Sequence, residues 1–67
     1  MKYQFNRSML PIIGVKWVPF DTEAECDAFM DWAEKETEHD QYPCDAYWVG
    51  LEIWDGKPQY VAKVKNW

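Results

Sequence analysis

Apolar and polar positions divide the chain into five stretches, punctuated by Pro11, Gly14, Pro19, Pro43, Gly50, Gly56 and Pro58. Lys2 to Asn6 is a short strand candidate, and Ile12 to Val18, rich in β-branched residues, reads as a second strand. From Asp21 to about Glu38 the period changes. Cys26, Phe29, Met30 and Ala33 recur as the i, i+3, i+4, i+7 stripe of a helix that faces a core, with Trp32 to the side of it. Asp21 and Thr22 are both N-cap candidates, and Thr22 with Glu25 has the capping-box spacing. The run ends near His39-Asp40, before the Tyr42-Pro43 break. Tyr47 to Trp54 and Gln59 to Asn66 read as two further strands.

Asp55-Gly56 is the signal for a two-residue type I′ turn, whose central positions both need positive φ. Counting out from that turn sets a register in which Leu51 faces Tyr60, Val49 faces Ala62 and Tyr47 faces Val64, with Ile53 on the same side. The expected core therefore holds Phe29, Met30, Ala33, Val49, Leu51, Ile53, Tyr60, Ala62 and Val64. The other side of the hairpin carries Trp48, Gly50, Glu52 and Trp54 on one strand and Lys57, Gln59, Val61, Lys63 and Lys65 on the next, with Trp67 at the end. Trp48 is then across from Lys63, and Trp54 from Lys57. One helix covers one side of a small sheet, so this second side is expected to be at least partly wet. Pro58 lacks an N–H, which predicts a strand edge there. The expectation is an α+β two-layer sandwich: one helix on a three- or four-stranded antiparallel sheet, βαββ or ββαββ, within a single domain over 1–67.

Length and composition limit what such a fold can do. Sixty-seven residues allow one domain, and chains of this size bury only roughly 60% of their unfolded surface. A nucleotide-binding α/β domain needs far more chain. Twelve aromatic residues, five of them Trp, argue against disorder. No apolar run approaches the ~20 residues of a membrane span, and Met1-Lys2-Tyr3-Gln4-Phe5 lacks the apolar stretch of a signal peptide. A cytoplasmic location is expected. Cys26, on the apolar helix face, and Cys44, in a loop after Pro43, are then expected to be free thiols.

Charge is unevenly distributed. Residues 21–45 hold ten acids and one base, Lys35, whereas the remainder holds six bases and two acids, within a formal net charge of -5. Glu23, Asp27, Asp31, Glu34 and Glu38 follow one another at steps of three or four, which keeps them on one helix face. Each neighbouring like-charge pair costs roughly 0.2–0.5 kcal/mol. In a small domain such a cost points either to solubility or to a docking surface.

Candidate chemistry is sparse. Ser8 and His39 are the only residues of their types, and no Ser/His or Cys/His motif is present, so no catalytic residue is expected. His39, Asp40, Cys44 and Asp45 cluster in sequence without the spacing of a zinc site. The helical carboxylates lack the glycine and alternating oxygen ligands of an EF-hand loop. No cofactor and no metal are expected. Trp48, Trp54 and Trp67, interleaved with Lys57, Lys63 and Lys65, resemble a stacking platform for single-stranded nucleic acid. The net negative charge opposes phosphate binding, so nucleic acid is the disfavoured partner.

A very short, acidic, Trp-rich α+β chain without catalytic motifs is similar, at the level of class, to small phage-encoded inhibitors of host machinery. That similarity lies in size and charge. It implies a non-enzymatic inhibitor or adaptor whose acidic helix face, Glu23, Asp27, Asp31, Glu34 and Glu38, docks on a basic protein surface that otherwise holds nucleic acid. The alternatives are a single-stranded nucleic-acid-binding module using the Trp/Lys sheet face, and a homodimer packed through Trp48 and Trp54. No membrane partner is expected.

Overall fold

The computed structural model describes residues 3–66. Along them run a 3-10 turn (Arg7–Met9), strand β1 (Gly14–Phe20), helix α1 (Glu23–Thr37), strand β2 (Cys44–Trp54) and strand β3 (Lys57–Asn66). β1 and β2 each pair antiparallel with β3, giving the sheet order β1-β3-β2. α1 packs on one face. The architecture is a two-layer α+β sandwich in its βαββ form.

α1 begins at the expected cap. The Thr22 hydroxyl accepts from the Glu25 N–H at 3.2 Å, which satisfies one of the free donors of the first turn. Cys26, Phe29 and Ala33 are fully buried, and Met30 packs against the same core. The stripe continues one turn further to buried Thr37. Its hydroxyl donates to the Ala33 carbonyl at 2.8 Å and accepts from the Cys44 N–H at 2.9 Å. Both hydrogen-bonding roles of this buried polar group are filled, and the second bond ties the end of α1 to the start of β2.

The turn residues Asp55 (φ 53°) and Gly56 (φ 75°) have the positive φ that a type I′ turn demands. Trp54–Lys57, Leu51–Tyr60 and Gly50–Val61 keep the register that this turn sets. The register slips before Gly50, where φ is 129°. Val49 is an extra residue there, a β-bulge, and beyond it Trp48 faces Ala62, Tyr47 faces Lys63 and Ala46 faces Val64. One inserted residue exchanges the two sides of a strand. This corrects the expected pairs Val49–Ala62, Tyr47–Val64 and Trp48–Lys63: Trp48 lies on the helix side and Tyr47 on the open side.

β2 and β3 begin three and two residues earlier than expected, and the two N-terminal strands change more. Tyr3–Asn6 form no strand, and Lys2 lies outside the described residues. Phe5 instead enters an aromatic cluster, 5.4 Å from Phe29, 5.5 Å from Trp32 and 6.1 Å from Phe20 between ring centres. β1 starts two residues later than expected, because Ile12 and Ile13 are exposed and precede the first pair, Gly14–Asn66. At Pro58, β3 pairs only with Ile53, since β1 has ended at Phe20–Tyr60. β3 is thus the central strand rather than the expected edge, and the missing N–H is tolerated because β3 is unpaired on that side at Pro58.

The core consists of Leu10, Val18, Phe20, Cys26, Phe29, Ala33, Cys44, Ala62 and Val64, with Met30 and Tyr60 partly buried against it. Leu51 and Ile53, expected inside, are 58% and 68% exposed, and Val49 is half-buried. The cause is the diagonal path of α1. Its C-terminal half bonds to β2 through Thr37–Cys44 (2.9 Å) and Glu34–Ala46 (3.4 Å), whereas Phe29 packs against Phe20 of β1 at 4.9 Å. The N-terminal half of α1 therefore leaves the second half of β2 uncovered.

Candidate functional site

The helix has two flanks with different neighbours. Glu25, Trp32 and Glu36 share one flank, and the N-terminal segment covers it. Phe5 packs on Trp32 at 5.5 Å, and Arg7 donates to the Glu36 carbonyl at 3.2 Å and to Asp40 Oδ2 at 2.6 Å. That bond to Asp40 raises Arg7 above its ordinary pKa, and the guanidinium sits where the helix dipole favours a cation. The other flank carries Glu23, Asp27, Asp31, Glu34 and Glu38, all exposed. Glu34 shows which way it faces, because its carboxylate accepts from the Ala46 N–H on the outer edge of β2 at 3.4 Å.

Asp21, Glu36 and Asp40 each find a cation: Lys57 at 3.0 Å for Asp21, and Arg7 at 3.7 and 2.6 Å for the other two. Among the described residues, no Lys or Arg pairs with any of the five carboxylates of the row. Glu38 has only the exposed His39 imidazole, at 3.4 Å. The row expected from sequence therefore lies on one surface, with no Lys or Arg among the described residues paired to it.

Beside this flank lies an apolar shelf. Trp48, Leu51 and Ile53 project on the helix side of β2, and Trp48 stacks with Tyr60 of β3 at 6.1 Å. Trp48 is 46% exposed. Met30, partly buried against the core, shares the row's flank, with Asp27 three residues before it and Glu34 four after.

The open face of the sheet differs from the expected Trp/Lys platform. Trp54, Lys57, Lys63 and Lys65 lie on it, Trp48 does not, and Trp67 is outside the described residues. Trp17 and Tyr47, both half-exposed, occupy the row that crosses Lys63, whose ammonium lies 5.8 Å from the centre of the Tyr47 ring. In the next row Val61, between Pro19 and Gly50, is fully buried although it faces away from the helix. Trp54 is pinned, its indole N–H donating to Glu52 at 3.0 Å. Lys57 is paired with Asp21, while Asp45 stands opposite Lys65 and Glu52 opposite Gln59. The face is aromatic and close to charge balance.

The sequence hid Trp17, Tyr47 and the side of Trp48. The one available signal was Gly50 inside a strand, which often marks a bulge.

The remaining chemistry is limited. A cleft of about 310 Å³ is lined in part by Arg7, Leu10, Thr37, Asp40, Cys44 and Asn66. Asn66 Nδ2 donates to the Pro11 carbonyl at 3.1 Å, while its buried Oδ1 has no partner among the described residues. Burial pushes the Cys44 thiol up, and pushes Cys26 up to about 11. Neither is a thiolate nucleophile near neutrality. His39 is exposed and hydrogen-bonds no cysteine. Among the described residues no three His, Cys, Asp or Glu side chains converge in a way that could hold a metal ion, and no helix is long and apolar enough to cross a membrane. No protein-family model matches the chain, and neither a curated protein nor a solved structure matches it.

Proposed function

We propose that this protein is a non-enzymatic adaptor or inhibitor that docks the acidic flank of α1 on a basic surface of a protein partner. One observation carries the reading. Asp21, Glu36 and Asp40 pair with Lys57 and Arg7, whereas among the described residues no Lys or Arg pairs with Glu23, Asp27, Asp31, Glu34 or Glu38. Carboxylates at i, i+4 step about 6 Å along a helix axis, a regular spacing for competing with phosphates for Arg and Lys. A phage-type inhibitor of a host nucleic-acid-handling machine is the concrete form of this reading. The two free thiols suit a reducing compartment such as the cytoplasm.

The test is capture from nuclease-treated lysate with the unmodified protein and with the D27N/D31N/E34Q/E38Q variant. A partner that is captured by the first bait, lost with the second and displaced by DNA supports the reading. Equal capture by both baits ends it. Stacking of single-stranded nucleic acid on Trp17 and Tyr47 is the second reading, favoured by their exposure on either side of Lys63. The charge balance of that face weighs against it.

A further inference from the structure

We infer that the acidic flank of α1 and the apolar shelf of β2 form one composite groove, and that its occupant is a basic amphipathic segment of a partner protein. The inference rests on the acidic-flank reading and adds the second wall of the site. Trp48, Leu51 and Ile53 line that wall, the latter two 58% and 68% exposed, with Tyr60 stacked on Trp48 at its base. Glu23, Asp27, Asp31 and Glu34 line the other. The walls meet where Glu34 accepts from the Ala46 N–H, whereas Phe29, nearer the start of α1, packs on Phe20 of β1, the opposite edge strand.

Charge selects the occupant. A second copy docking here would bring two acidic rows together. An anionic lipid surface would be repelled by the same row. The Ala46 N–H on the outer edge of β2 is already occupied by Glu34, and Val49 bulges the strand, so pairing of an added strand is obstructed where the shelf begins. A segment with Lys or Arg along one side and large apolar residues along the other satisfies both walls. Helices of that kind present their anchors at i, i+3, i+4 and i+7.

The probe is a synthetic helical peptide with Lys on one face and Leu on the other, titrated at low salt while amide and Trp indole shifts are recorded. The shifts are expected at Trp48, Leu51, Asp27 and Asp31, and not at Trp17 or Tyr47. L51S/I53S should keep the fold, since both side chains are largely exposed, and should weaken binding about tenfold or more. D27N/D31N/E34Q should weaken it comparably at low salt and little at high salt, where screening has removed most of the charge term. If the neutralised variant loses binding while L51S/I53S does not, the composite groove is wrong and the acidic-flank reading stands. If the neutralised variant binds as well as the unmodified protein, both are wrong. Absence of binding at millimolar peptide, shifts confined to the open face, self-association dispersed by L51S/I53S, or partition onto lipid vesicles would each overturn the groove.

Discussion

Phe29 and Leu51 lie at one level of the sandwich, since Phe29 packs on Phe20 and the row Phe20–Tyr60–Leu51 crosses the sheet there. Yet Phe29 is fully buried and Leu51 is 58% exposed. Phe29→Ala should cost about 3–5 kcal/mol, enough to unfold much of so small a domain, whereas Leu51→Ala should stay within about 0.5 kcal/mol of the parent. Urea unfolding of the two variants checks both. Sequence placed Phe29 correctly because a helical stripe marks its own inner side. For Leu51 it gave the right side of the strand, but not the diagonal course of α1 that leaves that side bare. Cys26 supplies a second expectation at this scale. Its thiol rises from 9.0 to about 11, chiefly through burial and then through Asp27 and Glu23. The folded state therefore holds its proton more tightly than the unfolded chain does. The resulting stability is fully present below pH 9.0 and is lost as pH rises through about 11. Cys26→Ala should flatten that part of the alkaline unfolding profile.

The elements differ in how local their instructions are. The Thr22 cap and the Asp55-Gly56 turn act over a few residues, and α1 and the β2–β3 hairpin were legible for that reason. Thr22→Ala should lower stability by about 1 kcal/mol, read from the thermal midpoint. What lay beyond local reach was the placing of β1 against β3, the insertion of Phe5 among aromatic rings, and the bulge at Val49. That single extra residue moved Trp48 off the open face and replaced it with Tyr47. The acidic row was legible as a row because helical spacing is local, but the shelf beside it was not, since it depends on how one element crosses another. Neutralising the row with D27N/D31N/E34Q/E38Q should raise stability by at most about 1–2 kcal/mol, because like charges on adjacent turns repel. Gln at position 34 keeps an oxygen for the Ala46 N–H.

In the whole molecule, the acids gather on the helix layer and most bases on the sheet and the N-terminal segment. Stability and binding should then respond to salt in opposite senses. Raising ionic strength to about 0.15 M shortens the reach of charge to about 8 Å, which should raise the thermal midpoint by several degrees while slowing association with a basic partner. The neutralised variant should show neither response, and calorimetry beside stopped-flow association measures the two. The strand order carries a consequence of another kind, in time rather than in space. Among the described residues β3 is the one ladder partner of both β1 and β2, and it comes after them in the chain. A nascent chain that has emerged only as far as Trp54 has two strands and no sheet, and α1 has nothing to lie on. Once the Asp55-Gly56 turn and β3 are free, the hairpin closes locally, and β1 must then return across the whole helix to reach its place. Closing that long loop is the slow, entropy-limited event. Variants in the turn should therefore change the folding rate, while variants in β1 should chiefly change the rate at which the finished sandwich opens.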